Sequence, residues 1–371
     1  MTDHRSTRAP DIGLLTAVGA LLVVGMLALA SAGTATGLDR FGDAYYFVKH
    51  QVIFGLIPGI AGFLLFSRIP YQFWKRNALW LFVASLAFLV LVFIPGLAAG
   101  IGTAHSWVSV GGWFTFQPSE FVKLTFLFYL AALLERRAKE GAKPSEGLSA
   151  FLLSLGAVMG LLALQPDVGT MTIVAAQSMA VYFIAGAPLP YIFGLLASGA
   201  GTLALLIKAA PYRTARFMTF LNPELDPQGV GYHINQALLA IGSGVLLVLG
   251  YGHSRQKFQY LPEVVNDSIF AVLAEELGFV SCLLLLGLYL WLLQRIIAIA
   301  KASPDPFGKY LCVGIGTWVI AQAFVNIGSM VALMPMTGLP LPFVSYGGTS
   351  LAVLLSAMGV VANVSRERKG A

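Results

Sequence analysis

The sequence predicts an all-α polytopic membrane protein: ten transmembrane helices, both termini on the cytoplasmic side, and a large extracytoplasmic loop between spans seven and eight. Three observations carry that expectation. Of 371 residues, 57% are hydrophobic and 11% charged, whereas a soluble domain carries about 25% charged residues. Apolar runs repeatedly reach the ~20 residues that a spanning helix needs. The Lys and Arg residues between those runs are unevenly shared between the two sides.

In chain order, the runs cover 12–33, 47–67, 78–100, 118–135, 147–165, 169–187, 190–208, 268–294, 309–334 and 346–364. The first is long enough to span and has no small-residue cleavage pattern, so it reads as a helix and not as a cleaved leader. Segment 208–267 is too polar to span and is the largest non-membrane piece. Within it, His233 to Ile241 suits a short helix lying along the interface. No repeat or low-complexity tract interrupts the chain, which reads as a single membrane domain over 1–371 without a soluble domain. Cys282 and Cys312 sit inside apolar runs without metal-ligand spacing and read as small core residues.

An N-terminus in the cytoplasm puts Arg5, Arg8, Arg68, Lys75, Arg76, Arg136, Arg137, Lys139, Lys143, Arg295, Lys301, Lys309, Arg366, Arg368 and Lys369 on that side, 15 of the 23 basic residues. This bias accounts for the net charge of +6 without any nucleic-acid partner. The remaining charges are informative. Lys208, Arg213, Arg216, Arg255 and Lys257 lie in or beside segment 208–267, with Glu224, Asp226, Glu263 and Asp267. Asp39, Asp43 and Asp167 share the same face, and Glu120 and Lys123 mark the outer end of span four. Charges at a membrane edge are costly unless paired and are functional candidates by default. Glu275 and Glu276, inside span eight, require polar partners or a wet cavity.

Four stretches carry motifs. Gln117-Pro118-Ser119-Glu120 opens a helix behind the interfacial Trp107 and Trp113, and Glu120 and Lys123 are three apart, close enough to pair. Asp167, in Gln165-Pro166-Asp167-Val168-Gly169-Thr170, can cap span six. Asn266-Asp267 precede span eight, where Asp267 can be a plain N-cap. Pro335 to Ser350 holds three prolines after Met334 and three glycines, so it cannot be a regular helix. Broken backbone at membrane depth is tolerated only against protein or a water-filled cavity, so this loop is expected to line a pocket.

Taken together these motifs resemble the SEDS family (shape, elongation, division and sporulation), whose members FtsW and RodA polymerise peptidoglycan. QPSE-x-x-K at 117–123, QPDVGT at 165–170, PELDPQGVGY at 223–232, YLPE-x-x-x-D-x-IFA at 260–271 and LPFVSYGGTS at 341–350 occur in family order, over nearly the whole chain. The SRQK-x-x-YLPE wording at 254–263 is closer to the FtsW branch. Three positions depart from the pattern: Val245 and Val248 in a stretch usually rich in glycine, Ser106 where arginine is common before the tryptophan, and Ala332 where glycine is common.

The resemblance implies a glycosyltransferase that joins lipid II units at the outer face of the bacterial cytoplasmic membrane, during division or elongation. Asp267 matches the family's essential aspartate and is expected to act as general base or as ligand of a divalent cation, Mg²⁺ or Mn²⁺. Glu120 and Lys123 are expected as a paired catalytic wall. Arg216, Arg213, Arg255 and Lys257 are the expected pyrophosphate partners, and Asp167, Glu263 and Ser345 further substrate-binding residues. The implied partners are a class B penicillin-binding protein (a transpeptidase), divisome or elongasome proteins and membrane lipid. Two other classes remain open at this level: a lipid II flippase, to which Glu275 and Glu276 would belong, and a non-catalytic scaffold indifferent to loss of Asp267.

Overall fold

The computed structural model describes residues 9–97, 106–111, 114–140, 148–209, 211–222, 229–244 and 249–367. Trp113, Glu224, Asp226, Val245 and Val248 lie outside the described residues, as do Arg5, Arg8, Lys143, Arg368 and Lys369.

Helix α1 (Ile12–Phe41) is capped by Asp11, whose Oδ1 accepts from the Leu14 N–H at 2.9 Å, and it ends at Gly42 with φ 67°. α2 (Tyr46–Gln51) passes through a π-helical turn, Val52–Leu56, into α3 (Ile57–Arg68). Pro58 has no N–H to return to the carbonyl of Phe54, which loosens the ladder there. α4 (Tyr71–Leu91) starts right after Pro70, earlier than the apolar run at 78, because Tyr71 and Trp74 are buried and extend its inner face. A short antiparallel hairpin, β1 (Val108–Val110) and β2 (Phe114–Phe116), delivers the chain to α5 (Pro118–Lys139).

Three shorter helices follow: α6 (Leu148–Leu164), α7 (Val168–Ile184) and α8 (Leu189–Lys208). Segment 208–267 holds two further helices, α9 (Pro211–Leu221) and α10 (Val230–Ser243), the second of which contains the helix expected at 233–241. The chain closes with α11 (Ile269–Ala302), α12 (Pro306–Met330) and α13 (Gly348–Arg366).

Among the described residues, six helical stretches are long and apolar enough to cross a membrane: Ile12–Phe41, Tyr46–Arg68, Tyr71–Leu91, Ile269–Ala302, Pro306–Met330 and Gly348–Arg366. The apolar helices Leu148–Leu164, Val168–Ile184 and Leu189–Leu205 are shorter; 17 residues rise only about 26 Å. α5 completes the ten expected positions but carries charge at both ends. The centre of the bundle is α12 and α13, with 67% and 78% of their apolar windows buried, against 22% for Tyr46–Arg68. Peripheral helices that expose Leu, Ile and Phe outward fit a lipid solvent.

Close approach holds this centre together. A Cβ on Gly25 of α1 would stand 2.2 Å from the Phe343 carbonyl oxygen, and one on Gly359 of α13 would stand 2.5 Å from that of Phe63. Glycine is therefore required at both contacts. Ala332 lies at φ 57°, a conformation that favours glycine. Overpacking a tight core costs about 1–3 kcal/mol, so Gly25→Ala is expected to lower the melting temperature of the detergent-solubilised protein by several degrees. An unchanged melting curve would show that α1 does not pack on the 341–345 turn as described.

Candidate active site

The non-helical stretch between α12 and α13 forms one wall of a cavity of about 750 Å³. The opposite wall comes from the β hairpin, the first residues before α5 and the turn before α7, through Trp107, Gln117 and Asp167. His50 and Phe54, at the π turn, close a third side, and Leu203, Ile207 and Phe217 supply an apolar flank. A second cavity, about 360 Å³, is lined by Thr219 and His233. Glu263, Asp267, Met336 and Gly338 line both, so the two carboxylates stand where the cavities adjoin.

The segment that carries them is tightly held. Glu263 adopts φ 48°, and its carbonyl accepts from the N–H groups of Asn266 (3.0 Å) and Ser268 (3.3 Å). Such left-handed backbone on a non-glycine residue needs surroundings that enforce it. Asn326 of α12 supplies one restraint, donating from Nδ2 to the carbonyls of Asp267 (2.9 Å) and Leu339 (2.8 Å). Tyr346 donates its N–H to Val265 O at 2.8 Å. Ser268 donates from Oγ to Pro262 O at 2.8 Å, and His233 Nε2 lies 2.6 Å from the same Oγ. A hydroxyl has one proton, so His233 is the donor in that second bond. The N-cap of α11 is Ser268, not Asp267, so the plain capping reading of Asp267 is corrected. Asp267 is 7% exposed, yet it lines both cavities.

Asp167 does cap α7: its Oδ1 accepts from Thr170 N at 3.0 Å. Its Oδ2 accepts from Gln117 Nε2 and Ser119 Oγ, both at 3.2 Å, so the two motifs that meet here, QPSE and QPDVGT, are fastened to each other.

Glu120 and Lys123 pair at 2.8 Å, as their spacing predicts, but they are 1% and 0% exposed and line neither cavity. The expected catalytic wall is a buried support behind the wall. Lys123 Nζ also donates to Gln322 Oε1 at 3.0 Å and faces the Trp318 ring at 4.7 Å. Gln322 Nε2 in turn donates to Pro340 O at 2.8 Å, so the ion pair is linked to the cavity wall through one amide.

The expected pyrophosphate partners separate. Arg213 and Arg216 fall on α9, and their side chains lie outside the described part of the structure. Arg255 is exposed and lines neither cavity. Lys257 is 3% exposed and pairs with Glu276 at 2.9 Å, away from both cavities. Ser345 is buried and does not line them; its Oγ accepts from Leu341 N at 2.8 Å and shapes the turn. Asp43 is held by Lys49 at 2.6 Å, and that hydrogen bond keeps its carboxyl below the ordinary range. Among the described residues, no three His, Cys, Asp or Glu side chains converge as a metal cluster. The sequence does not single out His50, His233, Gln322 or Asn326 as site residues: Gln322 and Asn326 are isolated polar residues in an apolar run, and His50 and His233 sit among other polar residues that give them no distinct signal.

A sequence profile for the FtsW/RodA/SpoVE family, described as "Cell cycle protein", matches residues 13–370. The chain is 40% identical to "Stage V sporulation protein E" of Bacillus subtilis, over 96% of this chain and 97% of that one. It is 38% identical to a "Probable peptidoglycan glycosyltransferase FtsW" of Trichlorobacter lovleyi, over 96% and 93%. Among solved structures, rod shape determining protein RodA of Thermus thermophilus is 31% identical, with a TM-score of 0.72 over 98% of this chain and 99% of that chain. A chain from a structure described as "Structural coordination of polymerization and crosslinking by a peptidoglycan synthase complex" is 32% identical, with a TM-score of 0.78 over 97% and 98%.

Removing one member of a buried ion pair strands the other at about 3–5 kcal/mol. Lys123→Met is therefore expected to lower thermal stability sharply, and Glu120→Gln/Lys123→Met to regain much of the loss. Equal melting temperatures for wild type and the single variant would show that the pair is not buried.

Proposed function

We infer that this chain, which belongs to the FtsW/RodA/SpoVE family of cell cycle proteins, is a peptidoglycan glycosyltransferase that joins lipid II units into glycan strands. The observation that carries the mechanism is Asp267, a nearly buried carboxylate shared by two adjoining cavities. A polymerase must hold two large substrates with a proton acceptor between them. The sugar 4-hydroxyl of one lipid II attacks the anomeric carbon of the other. As the new C–O bond forms, the hydroxyl proton passes to Asp267. The bond from the anomeric carbon to the lipid pyrophosphate breaks, and the pyrophosphate leaves with the electron pair.

Leaving-group charge requires cations. Arg213 and Arg216 on α9 are assigned that role; the buried commitments of Lys257 remove it from the set. A hard divalent cation, Mg²⁺ or Mn²⁺, suits the oxygen donors of Asp267 and Glu263, because Mg²⁺ keeps several waters and needs few protein ligands. When bound, it supplies charge neutralisation for the pyrophosphate. Leu203, Ile207 and Phe217 offer an apolar flank for a polyprenyl tail.

The basic-residue bias supports ten spans with both termini in the cytoplasm, which turns the cavities toward the outer face of the bacterial cytoplasmic membrane. A class B penicillin-binding protein is the proposed transpeptidase partner, in line with the synthase complex named for the similar solved chain. The flippase reading loses its main support, since Glu275 and Glu276 have structural partners.

Loss of a general base typically costs 10²–10⁴-fold in rate. Purified protein, with its partner and Mg²⁺ or Mn²⁺, should polymerise lipid II, and folded Asp267→Ala should lose activity by about that factor. EDTA should suppress the wild-type reaction. Wild-type polymer with an equally active Asp267→Ala would remove Asp267 from the chemistry; no polymer from wild type would return the scaffold reading.

A further inference from the structure

Two glutamates in the first turns of the long helix α11 have no place in the transfer chemistry. Glu275 and Glu276 of α11 are 1% and 2% exposed. They sit just before Gly278, where the helix breaks at φ 73°, ψ −175°. Neither reaches the two cavities. Both are occupied by the loop that precedes the Asp267 segment.

Glu275 receives the turn at Ser254–Gln256. Its Oε2 accepts from Ser254 Oγ at 2.5 Å and Gln256 N at 3.3 Å, and its Oε1 accepts from Arg255 N at 3.0 Å. Glu276 Oε1 accepts from Ser254 N at 3.3 Å and from Lys257 Nζ at 2.9 Å. Ser31 of α1 completes the cluster, with Oγ at 2.6 and 2.7 Å from the two oxygens of Glu276. Lys257 Nζ donates further to Ser31 Oγ at 3.0 Å and Gly252 O at 2.8 Å. An ammonium has three protons, and all three are used, so Lys257 has none to offer a substrate. Tyr251 adds a second tie to α1, donating from its hydroxyl to Leu27 O at 2.8 Å.

This cluster closes a loop in the chain. Residues 254–257 and 275–276 are fastened together, and Glu263 and Asp267 lie on the segment between them. The same segment is fastened on its other side by Asn326 and by Tyr346. We propose that Glu275, Glu276, Lys257 and Ser31 form a latch that positions Asp267: they are positioning residues of the transferase, acting through the 258–268 segment without touching substrate. The proposal rests on the glycosyltransferase reading for its kinetic consequence, though not for its structural one. It also gives the SRQK stretch at 254–257 a mechanical role in place of pyrophosphate binding.

The test compares wild type, Lys257→Met, Glu276→Gln and the double variant Lys257→Met/Glu276→Gln, each with its partner and lipid II. Each single variant strands a buried polar group, whereas the double variant removes both charges together. The single variants are expected to lose at least about tenfold in kcat, with KM for lipid II within about twofold. The double variant is expected to regain most of that loss. Amide hydrogen exchange over residues 258–268 should rise in the single variants and fall back in the double. Should a single variant fail to purify, Ser254→Ala keeps every charge and deletes one donor to Glu275; it should show the same split more weakly. A raised KM with kcat intact would overturn the proposal in favour of a substrate ligand. Wild-type exchange over 258–268 in the single variants would overturn it outright, whether or not the wild type makes polymer; failure of the wild type to polymerise would instead count against the transferase reading.

Discussion

Hydrocarbon offers no water to a broken backbone, and residues 331–347 are a long break between two central helices. Each unpaired peptide group there would cost several kcal/mol. Four side chains from three helices, α2, α11 and α12, meet that demand. Gln51 both donates to Ser345 O and accepts from Gly347 N. Gln322 donates to Pro340 O, Asn326 to Leu339 O, and Tyr289 to Pro342 O at 2.6 Å. Ser345 bonds within the turn itself. These few amides and hydroxyls let the chain leave the helix without leaving the protein, and the space beside the break becomes the cavity wall.

The same region of the fold links the wall to Asp267. Asn326 bridges Leu339 and Asp267 with one amide group. Tyr346 reaches Val265 with its N–H and His50 with its hydroxyl, at 2.8 Å. Behind them stand two buried ionic clusters with different tasks. Glu120 and Lys123 support the wall through Gln322. Glu275, Glu276 and Lys257 grip the loop that leads to Asp267. At the other end of the bundle, Asp11 of α1 meets Arg295 of α11 at 2.5 Å and takes Ser365 of α13 as acceptor for its own N–H. There the ion pair ties the start of α1 to the last turns of α11.

Much of this was legible in the residues. The apolar runs fall on helical segments, six of them among the described residues long and apolar enough to cross a membrane, because burial in lipid demands a long apolar stretch whatever the neighbours are. The pairing of Glu120 with Lys123 followed from a three-residue spacing, which places both on one face of any helix. The expectation that Pro335–Ser350 lines a cavity followed from proline and glycine chemistry alone. The motifs around Asp267 marked it as the residue to test, and their match to one family across 13–370 agrees with the relatives found.

What the sequence could not decide is which side of a wall a charge occupies. Lys257, Lys123 and Asp267 all read as charged residues on the outer face, within segment 208–267 or at the outer end of span four. Lys257 is committed to Glu276, Lys123 to Glu120 and Gln322, and Asp267 alone lines the cavities. Local spacing sets the secondary structure and the near-neighbour pairs, since those depend on residues three or four apart. The roles of buried charges depend on contacts between residues tens to hundreds of positions apart, such as Ser31 with Glu276 or Gln51 with Gly347. Only the packed bundle brings those partners together, so the sequence named the carboxylate to test and the tertiary structure assigned its neighbours to support.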